Sequence, residues 1–435
     1  MPGEIVRQHQ YSVPQVLVVV ALVVSSATSV RSAGRALAVI QECTGVVLES
    51  PSWASTRLWL LRVGYYKLTR PKEQAKDWVW IVDHVVQSGQ AKCLLIVGLR
   101  LSAVATADGY LAHGDVEPIA ICPVTESTGD IVYQQLAEAC KQTGVPREIL
   151  SDHGSDLAKG IRQFCQEHPE TCFVSDIKHK VATVLKRELG QEPTWQEFST
   201  LASQTIARVQ QTALAALAPP RQRRKARYMN VGELVVWGGR ILRYLDAPES
   251  PQPDWDPHRV EHAVGWVRQY RQELAQWRQW LEVGTRTEQV VKTHGLSARS
   301  VQQVQQQLSG VGTLPRTQQM CAELLQFVSE EGAKAKGGER LVGSSEVIES
   351  IFGKWKRLAG DHPRRGLTGL VLALGAIVSR TTADVIKEAL LSVPTKTVLS
   401  WCRDKLGKTV QATRRTLFAS PRTAEQKQDQ LPLAA

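Results

Sequence analysis

Apolar and polar positions divide the chain into three zones. Near its start, "VLVVVALVV" (residues 16–24) is an unbroken apolar run. In the segment that follows, Ser29 can cap a helix whose Val30, Ala33, Leu37 and Ile40 share one face. A polar stretch ends at Pro51, and "SWASTRLWLLRVG" (52–64) predicts a third short helix closed by Gly64. From Asp77 the pattern changes to strands. The runs "WVWIVDHVV" (78–86), "KCLLIVGLRL" (92–101) and "PIAICPV" (118–124) are β-rich and are broken by "QSGQA" and "TADGYLAHGDVE", as in an antiparallel meander. Helix-like and strand-like segments then alternate: "TGDIVYQQLAEACKQTG", "REILSD", "SDLAKGIRQFCQEH", "TCFVSD" and "HKVATVLKREL".

From about 191 to 340 the sequence is polar and helical, rich in Gln, Arg and Trp. Trp266, Tyr270, Leu274, Trp277 and Leu281 recur at helical spacing, the mark of packing between helices. "APESPQPDWDP" reads as a surface loop, "SARSVQQVQQQLSG" as a Gln-rich helix and "GAKAKGGER" as a flexible basic linker. Strong patterning returns at "SSEVIESIFGKWKRL" (344–358), and helix continues to about 419 before a polar tail. The run "GLTGLVLALGAIVS" (366–379) is short and Gly-containing, which fits a buried helix better than a membrane span.

The 435 residues predict two to four domains, and 43% hydrophobic content is ample for buried cores. Lys plus Arg exceed Asp plus Glu by 53 to 42, giving +11, which favours a polyanionic partner. "RQRRKAR" (221–227) concentrates this charge in Arg223, Arg224 and Lys225 with their neighbours, as a phosphate contact or a solvated loop. The eight cysteines contain no C-x-x-C pair and read as reduced thiols of a cytosolic protein. The apolar run at 16–24 followed by "SSATSV" has the look of a signal peptide, but Glu4 beside Arg7 weakens the charge that should lead one. Its nine residues fall short of the roughly 20 that a membrane helix needs, so no membrane partner is expected.

The order β-β-β-α-β-α-β-α is that of a ribonuclease H-like domain, and no Gly-rich phosphate loop follows a strand as a doubly wound nucleotide-binding domain would require. Within that frame three acids stand out. Asp83 interrupts a strand of Trp, Ile and Val, where a buried carboxylate needs a cation or hydrogen bonds in compensation. Asp152 ends the fourth strand and lies beside Asp83 if the two strands are parallel neighbours; the pair would then share a divalent cation. Glu349 opens a late helix, with Lys356 seven positions on and so within roughly 20° of it on one face. Glu346 is the less favoured third acid, since Gly353 is its counterpart. Each acid also has a structural reading: Asp83 as a satisfied buried residue, Asp152 as a helix cap or turn former, Glu349 as a solvent-facing helical acid. His84 and His153 follow the aspartates but point to the opposite sheet face, so neither is expected as a ligand.

On Asp83, Asp152 and Glu349 in these elements, the sequence resembles a DDE-type transposase of a bacterial insertion sequence. "SDIKHK" adds Asp176 and His179 as the Asp-x-x-His motif of transposases with a large helical insertion, the Mutator-like and hAT-like groups and their bacterial relatives. Glu349 and Lys356 are also similar to the Glu-x6-Lys half of a Tyr-Arg-Glu-Lys signature, whose Tyr and Arg are replaced by Val342 and Ser345. The resemblance spans 77–190 and 340–360. It implies an α/β ribonuclease H-like core interrupted by an all-α insertion, preceded by a helix-turn-helix module. The expected boundaries are 1–70 for that DNA-binding module, 71–190 for the first part of the core, 191–340 for the insertion, 341–420 for core completion and 421–435 for a disordered tail.

The resemblance further implies metal-dependent cleavage and strand transfer at the ends of the element. Asp83, Asp152 and Glu349 would be both catalytic and metal-binding, the metal being Mg²⁺ with Mn²⁺ as a substitute. Asp176 and His179 would brace the site, and Lys356 would position a phosphate. Ser55, Thr56, Arg57 and Arg62 of the third helix would meet bases or phosphates of double-stranded DNA, both transposon ends and target. The resemblance implies a homodimer on DNA and a cytoplasmic, nucleoid-associated location in a bacterium. The rivals are an inactive or domesticated DNA-binding descendant and a ribonuclease H-like structure-selective nuclease.

Overall fold

The computed structural model describes residues 4–86, 91–104, 111–221, 231–247, 255–312, 314–360, 366–408 and 410–418. Their elements fall into two compact units, one formed by residues 1–173 and 345–435 and the other by residues 174–344.

The first unit opens with helices α1 (Val13–Val24), α2 (Val30–Thr44) and α3 (Trp53–Thr69). Strands β1 (Trp78–Val86) and β2 (Lys92–Arg100), a short helix α4 (Leu101–Val104), and β3 (Glu117–Val124) follow. Then come α5 (Gly129–Thr143), β4 (Glu148–Ser151), α6 (Ser155–Glu167) and β5 (Cys172–Ser175). The five strands form one sheet in the order β3-β2-β1-β4-β5. Strand β1 is antiparallel to β2 and parallel to β4, and β2 is antiparallel to β3. The meander and the succession of strands and helices are those expected from the apolar pattern, and the parallel β1–β4 pair meets the condition under which Asp83 and Asp152 would be neighbours. Helix α5 is capped by the Thr128 side chain, which accepts the Ile131 N–H at 3.3 Å, and closes at Gly144 with φ +80°.

Strand alternation sorts the sheet into two faces. Trp78, Trp80 and Val82 of β1, with Leu94, Ile96 and Ile149 from its neighbours, pack on Val132 and Leu136 of α5 and on Leu157, Ile161 and Phe164 of α6. Val79 and Ile81 point the other way and are also fully buried. On chain return, helix α14 (Glu346–Ala359) contacts β1. Helix α15 (Ala373–Ile377) and helix α17 (Thr395–Leu406) contact β3, as does α3. Helix α16 (Ala383–Ser392) packs on α1 and α3, and α18 (Val410–Leu417) ends the described chain.

The apolar run near the start is helix α1, with Val16, Val19 and Val20 fully buried against neighbouring helices. Among the described residues no helix is long and apolar enough to cross a membrane. Ser29 caps α2 as expected, its Oγ accepting the Ser32 N–H at 3.1 Å. Gly64, in contrast, does not close α3, which runs on to Thr69. A Cβ at Gly64 would collide with the Leu372 carbonyl, so the glycine permits close approach of two helices and does not end one. The 366–379 run is buried as expected but splits into a 3-10 turn over Gly369–Leu372 and the short α15.

The second unit contains α7 (Ile177–Gly190), α8 (Pro193–Val209), α9 (Val231–Asp246), α10 (Pro257–Val264), α11 (Arg271–His294), α12 (Ser300–Leu308) and α13 (Pro315–Gly332). Its centre is aromatic. Phe198 lies 5.2–5.3 Å from the rings of Tyr270, Trp266 and Trp277, and Trp195 meets Trp277 edge-on at 4.9 Å. The indole N–H groups of Trp266 and Trp237 are satisfied by Thr205 Oγ1 and the Leu217 carbonyl. The residues at helical spacing in this region therefore do pack between helices.

Candidate active site

Strand register places the two aspartates. Ile81 pairs with Leu150 and Val82 with Ser151, so Asp83 follows the last paired residue of β1 and Asp152 comes immediately after the end of β4. By alternation Asp83 lies on the face shared with Val79 and Ile81, opposite the α5–α6 core. Each carboxylate has one oxygen engaged locally. Asp83 Oδ1 accepts the N–H of His84 at 2.6 Å. Asp152 Oδ1 accepts the Gly154 N–H at 3.0 Å, an Asx turn that folds the chain from β4 into α6.

Glu349 sits half-buried in the first turn of α14, the helix that contacts β1, with Glu346 one turn earlier. Acids are favourable there because they face the positive end of the helix dipole. The buried stripe of α14 is Val347, Ile348, Ile351, Phe352 and Trp355, and Lys356 is exposed. Among the described residues, no three His, Cys, Asp or Glu side chains are gathered closely enough to hold a metal ion. The donor chemistry of the paired aspartates suits a hard divalent cation, but the described conformation does not complete a three-acid set.

Behind Asp83, on the opposite sheet face, lies a polar cluster that the sequence did not announce. His84 Nε2 is 3.3 Å from Ser127 Oγ, its Nδ1 is 3.8 Å from Asp156 Oδ2, and Lys92 Nζ reaches the same carboxylate at 3.0 Å. Burial alone would raise the Asp156 carboxyl, but hydrogen bonds from Ser127 and Lys92 and the charges of His84 and Lys92 hold it down at about 2. Burial pushes the His84 imidazole below its usual range, with Asp156 and Asp152 opposing and Lys92 adding to the shift. His153 instead lies 5.9 Å from the Phe173 ring. The only sequence signal for Asp156 was its place one helical turn after Asp152.

Asp176 and His179 belong to the second unit. Asp176 is almost wholly buried and caps α7, its Oδ1 accepting the backbone N–H of His179 at 2.9 Å. The Asp-x-x-His pair is thus tied together through a helix cap. Just before it, the Ser175 N–H donates to Glu331 at 3.0 Å.

The third helix departs from its expected role. Thr56 is fully buried, and Arg62 is 7% exposed, donating to the Leu390 carbonyl at 2.6 Å and to His9 at 2.9 Å. Neither is presented to a duplex, because α3 lies under the C-terminal helices α15 and α16. Ser55 contributes its N–H to the Ser52 cap, and half-buried Arg57 lies beside Gly369. Arg223, Arg224 and Lys225 lie outside the described residues.

No protein-family model and no curated protein matches the chain. Among solved structures it is similar to the Drosophila P element transposase strand transfer complex, at 12% identity and a TM-score of 0.43, over 87% of this chain and 94% of that one.

Proposed function

We propose that this chain is a DNA transposase that carries out phosphoryl transfer through Asp83, Asp152 and Glu349. The observation that carries the reading is the placement of Asp83 in β1 and of Asp152 directly after β4, the parallel neighbour of β1 in a sheet ordered 3-2-1-4-5. The succession of strands and helices supports the ribonuclease H-like reading of the sequence, and α14, which carries the third acid, contacts the central strand β1. The basic balance of the chain suits a DNA partner.

In this reading Asp83 and Asp152 are metal ligands held at fixed spacing by the β1–β4 ladder, and Glu349 joins them when DNA binds. Mg²⁺, or Mn²⁺ in its place, would activate the attacking hydroxyl and stabilise the leaving oxygen. The chain's own contribution is positional: two strands fix the aspartates, the Asx turn at Asp152 aims its carboxylate, and exposed Lys356 meets a backbone phosphate. Asp176 braces the fold as a helix cap. A homodimer on paired DNA ends belongs to the same proposal.

A second reading, a DNA-binding descendant without catalysis, draws on the local hydrogen bonds that engage one oxygen of each aspartate. The two separate in one experiment. Duplexes bearing the ends that flank this chain's own gene are incubated with Mg²⁺ or Mn²⁺ and either wild-type protein or Asp152→Asn. Metal-dependent cleavage or joining that the substitution abolishes while binding persists supports the transposase. Equal products from both proteins overturn the assignment of Asp152, and binding without products selects the DNA-binding reading.

A further inference from the structure

A strip of charge runs along helix α14 in the first unit. The buried stripe of the helix is Val347, Ile348, Ile351, Phe352 and Trp355, so the opposite side carries Glu346 and Glu349 in the first turn and Lys356 and Arg357 in the last. The residues four positions after the two acids are Ser350 and Gly353, which keeps acids and cations apart along the strip. Gly353 leaves its middle open, since a Cβ there would meet nothing within 4 Å. From Glu349 to Arg357 the helix rises about 12 Å. That length matches roughly three to four nucleotides of one strand, at about 3.4 Å each.

The cationic end continues onto a second segment. His113 lies in a 3-10 turn, His113–Asp115, and holds α14 through two side chains: its Nε2 is 3.0 Å from Ser350 Oγ and its Nδ1 is 3.2 Å from Lys354 Nζ. An ammonium only donates, so Nδ1 accepts and the imidazole proton sits on Nε2, toward Ser350. The His113 carbonyl accepts the Ser379 N–H at 2.8 Å, and the Arg380 side chain lies against Gly114, where a Cβ would stand 3.4 Å from its Cγ. One turn thus brings Arg380 to the end of α14 that carries Lys354 and Arg357.

Among the described residues, Lys354, Lys356, Arg357 and Arg380 form no ion pair. Asp115, the acid of the same turn, is engaged by the Ala112 N–H at 2.8 Å. Burial, with the charge of Arg357 added, pushes the Lys354 ammonium below its usual range. Like charges gathered in this way repel one another, and a polyanion laid across them removes the repulsion.

We propose that this surface seats the backbone of a DNA duplex beside the candidate active site, with Lys354, Arg357 and Arg380 on its phosphates and His113 as the residue that positions Lys354. The inference rests on the transposase reading for its choice of DNA as the polyanion, and it extends the phosphate contact of Lys356 to a second segment of the chain. The strand crosses the cations, passes the open position at Gly353 and reaches Glu349 at the far end of the same helix.

The full chain is titrated, without divalent metal and over a range of salt, with a labelled duplex bearing the ends that flank its own gene, and binding is read by fluorescence anisotropy. Cleavage of the same duplex is then scored with Mg²⁺. Wild type is compared with the double variant Arg357→Gln, Arg380→Gln, with His113→Ala and His113→Asn, and with Arg278→Gln, which removes an exposed charge in the second unit. The double variant should bind about fivefold or more weakly than Arg278→Gln, with a log–log salt slope smaller by about 2. His113→Ala should lower the slope by about 1, and His113→Asn, which keeps an acceptor for Lys354, should restore it. A double variant that binds like Arg278→Gln overturns the seat, and the transposase reading survives that result if the wild type cuts its ends. Binding lost in the double variant, from a wild type that cuts nothing, upholds the seat and removes the catalytic reading. A wild type that binds no duplex overturns both, and His113→Ala with the wild-type slope overturns the positioning role.

Discussion

Gly64 and Gly375 meet with no side chain between them: a Cβ on Gly375 would stand 2.6 Å from the carbonyl oxygen of Gly64. One belongs to α3 and the other to α15, so two backbones separated by some three hundred residues touch directly. Alanine in an exposed helix would be favoured over glycine by roughly 1 kcal/mol. Here Gly64→Ala and Gly375→Ala each force two backbones apart and are expected to destabilise by about 1–3 kcal/mol. Thermal melts followed by circular dichroism check the sign, and a raised Tm for either variant would contradict the close packing.

Lys67 makes a related junction. Its ammonium is fully buried and donates to the carbonyls of Ala376, Val378 and Ser379 and to Thr381 Oγ1, at 2.8–3.2 Å. Lys67→Met keeps the stem but orphans several acceptors, at about 1–3 kcal/mol each. The variant is expected to lose stability well beyond that of an exposed substitution such as Lys186→Met, as measured by urea denaturation.

Asp156 gives an acid-limb signature. Its folded pKa of about 2 lies below the ordinary 3.8, so the folded state binds fewer protons than the unfolded one between those values. Its stabilising contribution is therefore complete above about pH 4 and disappears as pH falls through 2. Asp156→Asn should lower stability at neutral pH and flatten the loss of stability between pH 4 and 2. An acid limb of unchanged slope would show that the Lys92 and Ser127 contacts do not act on this carboxylate in solution.

In the second unit, Phe198 meets five aromatic neighbours among the described residues, Tyr270, Trp266 and Trp277 with Trp195 at 6.1 Å and Trp237 at 6.2 Å. Phe198→Ala should cost about 3–5 kcal/mol through lost burial and a residual cavity. Near-ultraviolet circular dichroism, which reads the tryptophan environment, should lose intensity in parallel. A stability change below about 1 kcal/mol would mean that the cluster repacks.

Much of this architecture was legible because local pattern and tertiary role agree. Strand β1 is readable residue by residue, since Trp, Ile and Val on both faces signal a strand buried on both sides. The position of Asp152 at a strand end followed from "REILSD", and its neighbourhood with Asp83 required only that β4 pair in parallel beside β1. What stayed hidden depends on distant segments. Helix α3 carries apolar residues around its circumference and so offers no stripe from which to tell core from surface. The burial of Thr56, Arg62 and Lys67 is imposed by α15 and α16 from the far end of the chain. Gly64 looked like a stop because glycine ends many helices, whereas its reason here is another backbone. The group of His84, Lys92, Ser127 and Asp156 draws on β1, β2, the turn before α5 and α6, and no sequence spacing links them.

The discontinuous first unit also sets a timetable for synthesis. Helix α3 leaves the ribosome early, but the partners that cover it, α15 and α16, are made only after the entire second unit. At bacterial or eukaryotic elongation rates that interval is on the order of tens of seconds. Throughout it, the faces of α3 that α15 and α16 cover lack those partners, whereas residues 174–344 make up a compact unit of their own. The middle of the polypeptide can therefore mature before its beginning, and the nascent N-terminal helices are natural clients for a holdase.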